Sequence, residues 1–384
     1  MNYTQLYQLL KTQFSPGVAT LIPGEERLLL SSESFHSKLG DSKRSACTNP
    51  SLPELFNIEN QTNNPNKDFT YPVFYPSDAL KNDKCIILLH GLNERSWDKY
   101  LPWGYQLAKN TRRPVILFPI AYHMNRSPHS WSDPRAMLPF VKQRKQHQSS
   151  TAALTVANVA LSQRLTDHPE RFLLSGYQAA KDILELTTYI ESGLHPAFNK
   201  GSRVDFFAYS IGTFLAQNLL LAHGNDLLAQ SKFFFFCGGS TFAEMKGISK
   251  YIMDSVAFDR LIHYYSQELE MVSQKTGYLN YILHETALGQ SFSSMLSLEA
   301  LKKRGADYFS TFKDRLAAIT LSKDQVILPQ AIKKTLQGIN LDEWDFDFPY
   351  SHEAPFPILS NKLVNKVNEA FDKVFIQASM LFTH

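Results

Sequence analysis

Only three cysteines, Cys47, Cys85 and Cys237, occur in 384 residues, and an odd, widely spaced set without a Cys-x-x-Cys pair argues against a disulfide scaffold or a cysteine-built metal site. Cys85 and Cys237 fall inside strand-like apolar runs, where a buried reduced thiol is the ordinary expectation; a reducing, cytoplasmic setting is expected. Long hydrophobic runs are missing too. The most apolar stretches, Phe233 to Cys237 and Phe214 to Ala222, fall well short of the roughly 18 consecutive apolar residues of a membrane span, so no membrane span is expected. Met1 to Phe14 mixes Tyr, Gln, Thr and Lys without a basic start or an apolar core, which speaks against an export signal. Charge of one sign is scarce: the formal net charge is +3 and the longest basic run is Lys302-Lys303-Arg304, which reads as a solvated helix face. Nucleic acid is therefore not an expected partner. His-Glu-x-x-His, Gly-x-x-x-x-Gly-Lys and a Gly-x-Gly-x-x-Gly after a strand are all absent, so no metal, nucleotide or other cofactor is expected. Nor is there an internal repeat of the kind that marks a solenoid.

What is present is a globular composition, 43% hydrophobic and 20% charged, in a length that suits one large α/β domain of about 250 residues with insertions. Residues 31–70, rich in Ser, Asn, Pro and Lys, with Thr48-Asn49-Pro50-Ser51 and Gln61 to Asn66 among them, read as loop. Residues 1–70 are accordingly expected to form a helical and loop extension to a domain at 71–384. Within that domain, Cys85 to Leu89, Val115 to Phe118, Val204 to Ala208 and Phe233 to Cys237 are apolar throughout, as strands buried on both faces are. A fifth run, Leu316 to Leu321, and helical patterns at Tyr177 to Glu191, Pro329 to Leu336 and Leu363 to Ala378 continue the alternation. The fold class is α/β, with a mostly parallel sheet and helices on both faces. Residues 121–176 and 241–312, the latter helical in Met253 to Val272 and Ser294 to Lys303, do not fit the minimal alternation and are read as helical cap insertions. The aromatic residues Phe258, Tyr264 and Tyr265 suit either an apolar lid or plain core.

The strongest local pattern is Val204-Asp205-Phe206-Phe207-Ala208-Tyr209-Ser210-Ile211-Gly212, leading into the helical run Thr213 to Ala222. A serine on such a strand-to-helix turn adopts strained backbone angles, and small residues two positions on either side let strand and helix approach. Ala208 and Gly212 meet that need. The turn lifts the hydroxyl above the sheet beside the helix N-terminus; Ser210 also fits a plain helix N-cap. The second pattern is Cys85-Ile86-Ile87-Leu88-Leu89-His90-Gly91-Leu92-Asn93-Glu94, a buried strand that ends in His-Gly and opens into a loop. His90 is read as a structural histidine holding that loop.

These two patterns and their order resemble the α/β-hydrolase superfamily, in its serine esterase and lipase-like branch. The resemblance implies an oxyanion hole made by the backbone NH groups of Leu92 and Ile211, and a chain order of serine, then acid, then histidine. Both later members follow. Ile319 to Pro329 reads as a strand ending in a loop that presents Asp324, and His352 lies in the loop Pro349 to Pro357, ahead of a helical stretch. Asp345 and Asp347 are the nearest rivals for the acid. The elbow departs from the family pattern in having Ala208 where Gly is commoner. A serine hydroxyl needs a base, and the base an acid to orient it, so Ser210, His352 and Asp324 form the candidate catalytic set. The expected activity is hydrolysis of an acyl bond in a small molecule, by default a carboxylic ester, through an acyl-enzyme. An acyltransferase with the same triad and a non-catalytic binding protein of the same fold remain alternatives. The stretch Tyr122 to Arg135 follows a strand whose C-terminal end faces the site, so His123, His129 and Trp131, with Tyr209, are candidate pocket-lining residues. Its two arginines, Arg126 and Arg135, suit either an acidic substrate group or a polar loop satisfying itself.

Overall fold

The structure, a computed structural model, describes residues 1–23, 27–39, 64–77, 81–147, 151–305, 307–359 and 362–383. Its strands are β1 (Thr20–Leu21), β2 (Leu28–His36), β3 (Asp68–Pro76), β4 (Asn82–Leu89), β5 (Val115–Phe118), β6 (Phe198–Tyr209), β7 (Phe233–Phe236), β8 (Leu316–Leu321) and β9 (Asn340–Trp344). They form one nine-stranded sheet in the order β1-β2-β3-β5-β4-β6-β7-β8-β9. From β5 to β9 every pairing is parallel, while β1 with β2, β2 with β3 and β3 with β5 are antiparallel.

The apolar runs behave as strands buried on both sides. Along β6, Phe206 and Ala208 enter one core and Phe207 and Tyr209 the other; along β7, Phe233 and Phe235 part from Phe234 and Phe236 in the same way. This two-residue alternation requires helices on both faces. The helices, numbered along the chain, are α1 (Tyr3–Gln13), α2 (Leu101–Thr111), α3 (Pro134–His147), α4 (Val159–Asp167), α5 (Arg171–Glu191), α6 (Ile211–His223), α7 (Ser255–His263), α8 (Leu269–Lys275), α9 (Gly277–Asn280), α10 (Ala287–Met295), α11 (Leu298–Lys302), α12 (Pro329–Thr335) and α13 (Val364–Thr383). On one face, Ile183 of α5 and Leu219 of α6 close the first core. On the other, Leu6 of α1, Trp103 of α2 and Phe375 of α13 close the second.

The sequence reading missed part of the sheet. The run 31–70 expected to be loop includes Ser31 to His36 of β2, which pairs with β3 at nine successive positions from Leu28↔Pro76 to His36↔Asp68. Only Leu28 and Leu30 are buried along β2, so the strand carries little apolar signal of its own and is specified by its partner. Tyr3, Leu6 and Leu10 of α1 are likewise in the second core. Residues 1–36 thus supply a helix and two strands to the body of the fold instead of standing outside it. The remaining expected loop, residues 40–63 with Cys47, lies outside the described residues. Cys85 and Cys237 are free and buried.

The chain steps from β4 out to β5 on one side and returns to β6 on the other, so the loops leaving the C-terminal ends of β4 and β6 diverge and leave a crevice between them. Helices α3 and α4 lie between β5 and β6, and α7 to α11 between β7 and β8. Buried Arg144 of α3 joins the two groups: its Nε and Nη2 donate to Asp254 Oδ2 and Oδ1 at 2.5 and 2.9 Å. Asp254 also caps α7 by accepting from the Ala257 amide. Tyr264 and Tyr265 belong to the first core, the plainer of the two readings open to them. No helix among the described residues is long and apolar enough to cross a membrane.

Removing one partner of a buried ion pair strands the other charge, at a cost of about 3–5 kcal/mol. Arg144→Met is expected to lower unfolding stability by about that much in urea titration, and Arg144→Met with Asp254→Leu to recover most of the loss. A single-variant cost within about 0.5 kcal/mol, the range of an ordinary surface change, means that this pair does not tie the two helical groups together.

Candidate active site

Strand β6 ends at Tyr209 and α6 begins at Ile211, so the turn between them is Ser210 alone. Its φ of 56° and ψ of −124° lie where a non-glycine residue carries a strain of about 1–3 kcal/mol. The neighbouring glycine makes the turn possible: a Cβ on Gly212 would sit 2.7 Å from the Leu89 carbonyl oxygen and 2.9 Å from that of His90. Helix α6 therefore starts in contact with the end of β4, which brings Ser210 to the crevice.

Ser210 makes no side-chain capping bond to α6, so the helix-cap reading falls. Its Oγ lies 2.6 Å from Nε2 of His352. His352 Nδ1 is 2.7 Å from Asp324 Oδ2, while Asp324 Oδ1 accepts from the amides of Val326 and Ile327 at 2.9 and 3.0 Å. The carboxylate is thus fixed at both oxygens before the imidazole reaches it. All three side chains are buried. The Tyr209 ring stacks on that of His352 at 5.7 Å, and its hydroxyl donates to the His352 carbonyl. The rival acids are engaged elsewhere: Asp345 pairs with Lys323 at 2.9 Å and Asp347 with Lys366, both at the surface. Those lysines hold the two carboxyls below the usual aspartate range.

The loop after β4 is braced from several directions. The Ile120 amide donates to His90 Nε2 at 2.9 Å and His90 Nδ1–H donates to the Gly91 carbonyl at 2.8 Å, so one tautomer is fixed. Burial pushes the His90 imidazole down to about 3; it is a neutral brace between the ends of β4 and β5. The Gly91 amide donates to Tyr100 Oη, which donates to Glu94, and Asn93 Nδ2 donates to the carbonyls of Ala157 and Tyr251 at 2.9 and 2.7 Å. This bracing by Tyr100 and Asn93 went unread, because the partners are distant in the chain and no local pattern joins them. Ile211 is the first residue of α6, where backbone amides have no acceptor within the helix.

Two cavities flank Leu92. One is a narrow, mainly apolar slot of about 70 Å3 whose wall includes Leu92, Ile211, Leu161, Phe214 and Phe292. The other is an open cleft of about 620 Å3 between the loop after β4 and residues Ser351, Glu353 and Ala354 beside His352. Of the expected lining residues, His123 is on the slot and Trp131 on the cleft, where Arg95 lies over its ring at 5.1 Å. His129 is exposed in a separate surface groove. Tyr209 lines neither the slot nor the cleft; it sits under His352. Arg126 is fully buried, donating to Asp182 at 2.8 Å and to the Asn66 carbonyl at 2.9 Å, so for this arginine the self-satisfied loop is the correct reading.

Strand order, parallel core and the serine turn from β6 into α6 define an α/β-hydrolase fold. Within that class the chain belongs to a family of unknown function, DUF6051, whose model matches residues 1–383. No curated protein matches the sequence. Among solved structures the chain is similar to vibralactone cyclase, with 10% identity and a TM-score of 0.47 over 100% of this chain and 86% of the other. It is also similar to carboxyl esterase 2 of the mycorrhizal fungus Tuber melanosporum, with 8% identity, a TM-score of 0.46 and coverage of 98% and 96%. The peroxisomal α/β-hydrolase Lpx1 of Saccharomyces cerevisiae gives 12% identity and a TM-score of 0.39 over 91% and 90%.

Gly212→Ala forces a methyl group against two backbone carbonyls that cannot rotate away. The expected result is a loss of about 2 kcal/mol of unfolding stability, within the usual range for overpacking, together with displacement of Ser210. A variant as stable as the parent in urea titration, with unchanged reactivity at Ser210, contradicts this account of the turn.

Proposed function

We propose that the protein is a serine hydrolase that cleaves a carboxylic ester through an acyl-enzyme, with Ser210 as nucleophile, His352 as general base and Asp324 as the orienting acid. The observation that carries this reading is the continuous chain from Ser210 Oγ to His352 Nε2 at 2.6 Å and from His352 Nδ1 to Asp324 Oδ2 at 2.7 Å, headed by a serine held at positive φ. Ser210 Oγ attacks the ester carbonyl carbon as His352 Nε2 takes the hydroxyl proton, and Asp324 stabilises the resulting imidazolium while keeping the ring oriented. Negative charge builds on the former carbonyl oxygen, which receives hydrogen bonds from the amides of Leu92 and Ile211; each such donor is worth about 3 kcal/mol in the transition state. The tetrahedral intermediate collapses by breaking the bond to the alcohol oxygen, which leaves with the proton from Nε2. Water then attacks the acyl-serine with His352 again as base, releasing the acid and restoring the serine hydroxyl.

Because the leaving oxygen must meet His352 Nε2, the cleft beside Ser351 and Glu353 suits the alcohol, and the slot beside Ile211 suits the acyl chain. A fluorophosphonate probe is expected to add to wild type once per chain, read as an intact-mass shift, and not to add to Ser210→Ala. Asp324→Asn is expected to cost about 10⁴ in rate of labelling or ester turnover by favouring the wrong tautomer. Folded wild type that stays unlabelled after long exposure rules the proposal out and favours a binding protein built on the same fold.

A further inference from the structure

His123 and Asn218 both line the slot and are buried, at 5% and 6% exposure. Nε2 of His123 and Oδ1 of Asn218 nevertheless meet no hydrogen-bonding group among the described residues. We propose that the slot takes an acyl chain bearing a hydroxyl close to the reacting carbonyl, which donates to His123 Nε2, so that the substrate is an ester of a hydroxy acid. This inference rests on the hydrolase reading for the identity of the reacting bond, and on the slot itself for the identity of the acid.

The protein's own hydrogen bonds decide what each unmatched atom can do. His123 Nδ1 lies 3.0 Å from the Ala121 carbonyl oxygen. A carbonyl only accepts, so the proton is on Nδ1 and Nε2 presents a lone pair. Asn218 Nδ2 donates to the Phe214 carbonyl at 2.7 Å, which fixes the amide with Oδ1 as its unmatched end. Both atoms are therefore acceptors, and what the slot lacks is a donor. A buried acceptor without a partner has lost its hydration and gained nothing in return, so the few that a native chain retains call for an explanation. A donor carried in on the substrate supplies one.

The surroundings choose the kind of donor and where it sits. Burial pushes the His123 imidazole well below its ordinary range, and the positive charges of Arg95 and Arg164 act in the same direction. The field that keeps this ring neutral also disfavours an ammonium group on the substrate, and a hydroxyl is the smallest neutral donor that a narrow slot can admit. The His123 ring lies 5.2 Å from that of His90, and His90 bonds the carbonyl of Gly91, the residue before Leu92. His123 thus belongs to the end of the slot where the ester carbonyl is held, which puts the hydroxyl on one of the first carbons of the chain. Asn218 belongs to the far end. Ile211, Phe214, Leu215 and Asn218 share the face of α6 that lines the slot, and Asn218 is two turns, about 10 Å, beyond Ile211. Its Oδ1 is open to a second donor on a longer chain.

The test compares two hydroxy esters with partners in which a methyl group replaces the hydroxyl: methyl 2-hydroxybutanoate with methyl 2-methylbutanoate, and methyl 3-hydroxybutanoate with methyl 3-methylbutanoate. Methanol release gives kcat/KM, alongside fluorophosphonate labelling. Wild type is expected to favour at least one hydroxy ester over its partner. In His123→Phe, which keeps a planar ring and loses the acceptor, that preference is expected to fall by about tenfold, the scale of a buried hydrogen bond left unmade. Dividing one preference by the other cancels the intrinsic reactivity of the esters. His123→Gln, which retains an acceptor, is expected to keep part of the preference, and His123→Leu replaces His123→Phe should that variant fail to fold. A labelled wild type that prefers both methyl partners, or a preference unchanged in the folded variant, overturns the hydroxy-acid proposal and leaves the hydrolase standing; the acceptors are then served by water. Should wild type resist labelling, the hydrolase reading fails, and calorimetric titration of wild type with the same esters still decides the slot. Hydroxy-selective binding lost in His123→Phe supports the proposal, and equal or absent binding overturns it.

Discussion

Helix α6 meets the end of β4 at a backbone-to-backbone contact that leaves no space for a side chain at Gly212. That approach forces the chain to reverse direction within the single residue Ser210, at a positive φ that costs free energy. The strain persists because both flanking elements are locked, β6 between β4 and β7 in the sheet and α6 into the first core through Phe214, Leu215 and Leu219. A serine placed this way projects from a rigid frame, and the groups that meet it are rigid as well. Asp324 is gripped by two amides, and His352 is held through its carbonyl and its ring face by Tyr209. The alignment of hydroxyl, imidazole and carboxylate is therefore set by the fold itself, with little left to order.

Around this frame the helical segments 121–176 and 241–312 are held to each other. Arg144 and Asp254 join them internally, and Asn93 fastens the loop after β4 to a carbonyl of each, Ala157 and Tyr251. The loop that presents Leu92 is thereby coupled to both walls of the crevice, while His90 sets its root against β5. Geometry at Leu92 depends on residues more than 150 positions apart in the chain, and only the parallel sheet with its switch point brings them together.

The sequence displays the buried strands and the order Ser210, Asp324, His352 because each rests on local chemistry: an apolar run, a small residue beside a turn, a loop at a strand end. β2 and β3 were illegible for the opposite reason. β2 carries three serines and a glutamate where a strand would show apolar alternation, and β3 contains Pro72; each is specified by the other across nine paired positions. Tyr209 was a candidate pocket wall, but it belongs to the second core on the α2 and α13 side of the sheet, with its ring against that of His352. The arginines that line the slot escaped notice for a similar reason, since Arg164 and Arg171 belong to helices whose approach to Leu92 and Ile211 no local pattern reveals.

The two cavities that flank Leu92 differ in how their charged residues are arranged. In the cleft, Glu94 meets Lys99 and Tyr100, Glu353 meets Ser249, and Arg95 is held by Asn93 and stacked on Trp131; acids and bases there largely cancel, and the space is wide and open to water. The slot is narrow and mainly apolar, with Arg164 and Arg171 among the residues that line it. Electrostatic interactions strengthen as the effective dielectric falls, so a charge of given size counts for more in the slot than in the cleft.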